Sequence, residues 1–355
     1  MDKIAVGVIA NPASGRDIRR LVAGASVFDN AEKGSMVLRL MAGLGATGVE
    51  RVVMMPAGDG VSARLVRALE GRTGDFAERP MPALEFLDMT LRGNATDTAS
   101  AVAQMLLKRV AAIAVLGGDG THRIVAKVCG DTPLCTLSTG TNNAFPHMCE
   151  ATIAGLATGL VVSGRVGPEA LRREKLLWVS RNGDPRHDAA VVDVAVSGSR
   201  WVGARALWRI GDIREFLVTF ASPSAVGLSA VAALLEPVPR SARHGLHVRL
   251  ADPARAASVL TAPLAPGLIV PVGIAGYRRI EPGEVTRLEG GPGSLALDGE
   301  RELELAAGDE VGVRLGEGPL TIDVDEVMGQ AARRGLLNGA CPSLRRDIHH
   351  KEAVP

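Results

Sequence analysis

Aromatic side chains are scarce in this sequence, with three Trp, one Tyr and six Phe among 355 residues. Bases would find little to stack on, so no nucleic-acid partner is expected. A charge of one sign is missing as well. The formal net charge is +1, and no basic run stands outside the extreme C-terminus. Long apolar runs are absent, so no segment spans a bilayer, and the run at 3–10 is too short for a secretory h-region. Of the four cysteines, Cys129, Cys135, Cys149 and Cys341, no two have C-x-x-C spacing. Buried thiols in a reduced cytoplasm are the expected reading.

What the chain does have is apolar mass, 46% hydrophobic against 22% charged residues. Its length exceeds one ordinary core, so two domains are expected. The first half alternates apolar runs, at 3–10, 51–55, 84–87, 110–116 and 134–137, with helix-periodic segments. One face is marked by Val37, Leu40, Met41 and Leu44, another by Val61, Leu65, Val66 and Leu69. Ile18, Leu21, Val22 and Ala25 have the same spacing, as do Ala99, Val102, Ala103 and Leu106, with Thr96 or Asp97 as cap. Strands apolar on both faces between helices predict a doubly wound, mainly parallel α/β sheet. After a helix near 153–162 the texture changes. Strands are expected at 176–180 and 189–197 around Asn182-Gly183-Asp184, then helices near 213–221 and 226–235. Short strands punctuated by Gly and Pro follow, at 248–250, 268–274, 285–288, 294–297, 303–305, 311–315 and 320–324. The expected organisation is an α/β domain over 1–147, a mostly β domain over 148–325, and a C-terminal helix and tail over 326–355.

Ligands on a parallel sheet sit at the carboxyl ends of its strands. Three polar turns fall there, Asn11–Gly15, Gly117–Thr121 and Ser138–Asn143. The middle one, Gly117-Gly118-Asp119-Gly120-Thr121, joins a strand to a helix. Glycines let backbone N–H groups approach phosphate oxygens, and the helix N-terminus supplies unpaired donors. Asp119 would repel a phosphate unless it holds a metal ion or takes a proton. An ordinary glycine turn is the competing reading. Thr139 and Thr141 suit phosphate or a turn cap, and Asn142 and Asn143 suit a ribose or base edge. Asn11, Ser14 and Arg16 are within reach of a triphosphate, though a solvated Arg16 is preferred. His122 fits a phosphate contact or an exposed helix start equally. His244 and His247 fall on opposite strand faces and make no metal pair. Arg278-Arg279 is favoured as a solvated turn over a phosphate contact across the cleft. By itself Asp298-Gly299-Glu300 reads as a plain hairpin turn.

The string GGDGT at 117–121 resembles the signature of the NAD kinase and diacylglycerol/sphingosine kinase superfamily. Asn11-Pro12-Ala13-Ser14-Gly15 resembles the first-strand turn of its lipid-kinase branch. Thr139-Gly140-Thr141-Asn142-Asn143-Ala144-Phe145 resembles the second motif, and Leu297-Asp298-Gly299-Glu300 the late DGE element. The four occur in the expected order. The fuller STGTNNAFP, with the following AGLATGL, is most similar to the AcoX-like branch, which is classed with ATP-NAD kinases and associated with acetoin catabolism.

The resemblance implies a cytoplasmic, homo-oligomeric kinase using ATP and Mg²⁺, with its site in the cleft between domains. Asn11, Ser14, Gly117, Gly118, Gly120, Thr121, Thr139, Gly140, Thr141, Asn142 and Asn143 would surround the nucleotide. Asp298 falls to the acceptor site, and the metal ligands are left unassigned. In NAD kinases the aspartate of GGDGT is the proposed base, which falls on Asp119. In lipid kinases it is the glutamate of DGE, which falls on Glu300. The favoured acceptor is the 2′-hydroxyl of the NAD adenosine ribose. NAD kinases, however, carry a Gly-Asn-Gly-Leu-Gly-Phe run where this chain has TGTNNAFP, and an Asn-Glu pair with no counterpart here; 191–194 is the nearest context. A lipid or small-alcohol kinase is the alternative, and a non-catalytic nucleotide-binding accessory protein of acetoin catabolism is the third reading.

Overall fold

The computed structural model describes residues 3–12, 28–57, 60–74, 78–199, 209–289 and 291–338. The helix expected from Ile18 to Ala25, and Ser14 and Arg16 with it, lie outside them.

The first half builds the parallel sheet. Its strands are β1 (Ala5–Ala10), β2 (Arg51–Met54), β3 (Ala83–Phe86), β4 (Ala112–Gly117) and β5 (Leu134–Ser138). Between and after them run α1 (Asn30–Ala46), α2 (Val61–Glu70), α3 (Ala95–Leu107), α4 (Asp119–Val128) and α5 (Ala151–Val162). The strand order β3-β2-β1-β4-β5 reverses direction between β1 and β4. That is the switch point where open α/β sheets bind ligands. Alternate residues of β1 go to opposite faces. Val6, Val8 and Ala10 pack with α1, α2 and α5, whereas Ala5 and Ile9 pack with α3 and α4. A strand buried on both faces is why the sequence reads as an unbroken apolar run. The α3 cap is Asn94, not Thr96 or Asp97. Asp97 instead reaches back to the backbone N–H groups ahead of the helix, completing a capping box.

The second half supplies β6 (Leu171–Arg181), β7 (Asp184–Ala190), β8 (Asp193–Ser197), β9 (Ile213–Val218) and α6 (Leu228–Ala233). Then come β10 (Gly245–Ala251), β11 (Ser258–Ala265), β12 (Leu268–Ile280), β13 (Val285–Arg287), β14 (Gly293–Leu297), β15 (Glu300–Leu305), β16 (Val311–Ile322) and α7 (Val324–Arg334). β11-β12-β10-β9-β8-β14-β15 form a seven-stranded sheet. All of its pairings are antiparallel. The segment expected as a helix near 213–221 is strand β9, held between β8 and β10. The two segments at 311–315 and 320–324 are one strand, bulged between Glu317 and Leu320, and Val324 already starts α7.

β16, β6 and β7 do not join the second sheet. They extend the first one past β5. The second sheet packs face to face on this extension through Leu177, Val179, Val313 and Leu315 against Val194, Val196, Leu217 and Leu295. Its other face is covered by α6. Among the described residues no helix is long and apolar enough to cross a membrane.

Candidate active site

Three chain segments meet at the switch point. β4 ends at Gly117, Gly118 is extended, and α4 starts at Asp119. A Cβ on Gly117 would lie 2.7 Å from Thr121 Cβ, and one on Gly118 would lie 2.8 Å from Asn143 Oδ1. Gly117 is therefore demanded by close approach, and Gly118 lies against the side-chain tip of Asn143 in the 139–145 motif. Thr121 N–H donates to Gly118 O at 3.1 Å and His122 N–H to the same oxygen at 3.2 Å, so Asp119 and Gly120 form the opening turn of α4.

Asn11 ties the turn to β1, since its Nδ2 donates to Thr121 Oγ1 at 3.0 Å and its N–H donates to Leu116 O at 3.3 Å. Thr139 N–H donates to Gly117 O at 3.3 Å. Asn143 Nδ2 donates to Ser138 Oγ at 2.8 Å and to Gly140 O at 3.2 Å, folding the second motif on itself. Thr139 is buried, Gly140, Asn142 and Asn143 are half-buried, and Thr141 is exposed. Under Asn11 lies a cation that composition and spacing did not single out. Lys33 is 1% exposed, and its Nζ donates to Asn11 O at 3.1 Å, Pro12 O at 3.4 Å and Asn30 Oδ1 at 3.3 Å. It had a signal, because it falls on the same helical face as Met36, Val37 and Leu40, where a lysine is out of place.

Asp119 turns its carboxylate toward the second motif. Its Oδ2 accepts from Ala144 N–H at 3.0 Å and its Oδ1 from Phe145 N–H at 2.8 Å. At the other end of the Ala144–Phe145 peptide unit, Arg240 Nη2 donates to Ala144 O at 2.9 Å, and it also donates to Phe145 O of the next unit. Arg240 lies in a loop of the second half, and a single loop arginine has no sequence signal. His122 is not exposed. It is fully buried, its Nδ1 is 2.9 Å from Gly118 O, and its ring centroid lies 5.8 Å from that of Phe145. Burial pulls its pKa down to about 4, so the ring is neutral.

Asp298 and Gly299 of the DGE element form the two-residue loop of the β14–β15 hairpin, at φ 52° and φ 76°, and Glu300 opens β15. These left-handed angles favour Asp-Gly here. Asp298 is buried and accepts from Val192 N–H at 2.7 Å and from Val191 and Asp193 N–H, each at 3.3 Å. Burial pushes its carboxyl well above the usual carboxylate range, with the Asp193 and Asp119 charges adding to the rise and Arg123 opposing it. Arg123, on α4 and 7% exposed, pairs with Glu302 at 2.8 Å. The hairpin and α4 are thereby tied together. Its result is that Glu300 Oε2 lies 4.0 Å from where a Cβ on Gly120 would be. Carboxylates from both sheets, Asp119 and Glu300, thus stand at the first turn of α4. Arg278 and Arg279 are occupied elsewhere, with Glu284 and Glu236, each at 2.6 Å. His244 pairs with Glu236 at 3.4 Å, and His247 with Glu215 at 2.6 Å.

The fold, with a glycine turn at the switch point of a parallel sheet faced by a hairpin carboxylate from an antiparallel sheet, is of the kinase type. Residues 6–166 match the ATP-NAD kinase N-terminal domain, and residues 175–318 match the acetoin catabolism protein X C-terminal domain. Acetoin catabolism protein X of Cupriavidus necator is 46% identical over 337 residues, covering 94% of this chain and 93% of its own length. The chain belongs to the acetoin catabolism protein X family. A crystal structure of a diacylglycerol kinase from Bacillus anthracis aligns over 90% of this chain and 96% of its own, with a TM-score of 0.41 and 11% identity.

Proposed function

We propose that the protein is an ATP-dependent phosphotransferase whose acceptor is the 2′-hydroxyl of the NAD adenosine ribose, giving NADP. The observation that carries the reading is Glu300 Oε2 standing 4.0 Å from the Cβ position of Gly120, over the helix start that follows the glycine turn. A triphosphate held by that turn would have its terminal phosphoryl group facing a carboxylate from the other sheet. The match of residues 6–166 to ATP-NAD kinases supports ATP as donor and NAD as acceptor.

In this reading the first-turn amides of α4 and the Asn11–Thr121 contact cradle phosphate oxygens. Asp119 and Glu300 offer hard oxygen donors. Mg²⁺ characteristically binds through one or two carboxylates plus substrate phosphates, and among the described residues there is no cage of three or more acidic, His or Cys ligands. When bound, the ion supplies charge neutralisation on the transferring group. Both oxygens of Asp119 already accept backbone N–H groups. In this reading Glu300, which reaches the helix start from the other sheet, is the proton acceptor for the substrate hydroxyl, and Asp119, held by the Ala144 and Phe145 amides, organises the turn.

Purified protein given MgATP and NAD is expected to form NADP. Glu300→Gln should lower kcat by roughly 10²–10⁴ with MgATP affinity retained. Asp119→Asn should weaken MgATP binding instead. The opposite pattern assigns the base to Asp119. A folded protein that binds MgATP and makes no NADP removes NAD as acceptor and leaves a lipid or small-alcohol kinase. Binding without turnover on any hydroxyl leaves an accessory protein, and no MgATP binding at all ends the kinase reading.

A further inference from the structure

Arg240 sits in the loop between α6 and β10, and its guanidinium reaches across to the first half of the chain. Nη2 donates to Ala144 O at 2.9 Å and also to Phe145 O, while Nη1 pairs with Glu174 Oε1 at 3.2 Å. Two aromatic rings lie against it, with the guanidinium carbon 4.6 Å from the Phe220 centroid and 4.9 Å from the Phe145 centroid. Glu174, on β6 and 2% exposed, is itself fixed by Thr321 Oγ1 of β16 at 2.8 Å. Nη1 and Nη2 thus bind a carboxylate and two carbonyls while the rings pack on the group, a fork of donors that an ammonium could not reproduce. Burying this charge costs desolvation, and an apolar side chain of similar volume would fill the slot between the rings without that cost.

One of the two peptide units Arg240 grips, Ala144–Phe145, is a unit whose N–H holds Asp119, and the other adjoins it. The relay runs Thr321–Glu174–Arg240–Ala144/Phe145–Asp119, from the strands of the second half to the GGDGT turn. We propose that Arg240 is a positioning residue of the nucleotide site. It acts through the 144–145 peptides to fix the Asp119 carboxylate, and so couples correct seating of the two sheets to assembly of the phosphate cradle. The functional half of this inference rests on the kinase reading. The geometric half does not.

The test uses Arg240→Lys, with Arg240→Ala plus millimolar guanidinium as a second route. As a control, Val248→Ala weakens the core beneath the second sheet away from the site. Two quantities are read, hydrogen exchange at the Ala144 and Phe145 amides and the MgATP dissociation constant. Arg240→Lys is expected to speed exchange at both amides at least tenfold and to weaken MgATP binding at least tenfold. Guanidinium should reverse both effects in Arg240→Ala, and Val248→Ala should show neither. Unchanged exchange in Arg240→Lys, or equal changes in the control, overturns the clamp. Faster exchange with unaltered MgATP affinity overturns the positioning role and leaves a structural one. If the unsubstituted protein binds no MgATP, the kinase reading falls while the exchange arm still decides the clamp.

Discussion

His122 shows how far a single residue can depart from its sequence context. It follows GGDGT directly, yet it is buried against Phe145 and donates to the glycine turn from beneath. Its pKa is about 4 in the folded chain and near 6.5 in the unfolded one. As pH falls through 6.5 the unfolded state binds the proton first, so stability present at neutral pH is lost progressively down to about pH 4. The shift corresponds to about 3 kcal/mol in full. Between pH 7 and pH 5, His122→Leu is expected to lose about 2 kcal/mol less than the unsubstituted protein, read from urea unfolding at each pH. Equal pH slopes would place the ring in water. At this scale the sequence was most informative where chemistry needs a motif. The residues of 117–121, 139–143 and 298–300 do converge, because each motif is a short turn whose backbone geometry is encoded locally. Arg123 and Arg240 were not legible as site residues, since what defines them is a partner far along the chain, and Lys33 was marked only by standing on an apolar helix face.

At the scale of elements, α1 and α5 cross at close range. A Cβ on Gly43 would stand 2.4 Å from Thr152 O, and one on Gly155 would stand 2.2 Å from Leu40 O. The helices meet backbone to backbone, and α1 carries Lys33 to its place under Asn11. Gly43→Ala is expected to cost about 1–3 kcal/mol by forcing the helices apart. An unchanged urea midpoint would contradict so close a crossing. The parallel strands were legible because burial on both faces leaves an apolar run with a glycine or polar stop. Three later elements were not. Ile213–Val218 is apolar enough for helix or strand, and only its pairing with β8 and β10 decides. β11 contains Pro263, which argues against a strand, but β11 lies at the sheet edge, where proline is tolerated. In β16 the run Gly316-Glu317-Gly318-Pro319 reads as a break, and the strand absorbs it as a bulge.

At the scale of the whole molecule, β16 and α7 return the end of the described chain to its beginning. Thr321 pairs with Leu134 of β5, and Ile322, Val327 and Ala331 lie in the same core as Val6, Val8 and Leu40. A chain ended after Ile322 gives up the burial of α7 against α5, and should lose on the order of 4 kcal/mol, read as a lower thermal midpoint. A midpoint equal to that of the full chain would show α7 to be dispensable. The same return path sets a timetable for biosynthesis. At ~5–20 residues per second, β5 leaves the ribosome roughly 10–35 s before the strand that is to lie beside it. Through that interval the nascent sheet ends in an incompletely paired apolar strand, which is where chaperone capture or mispairing between nascent chains should concentrate.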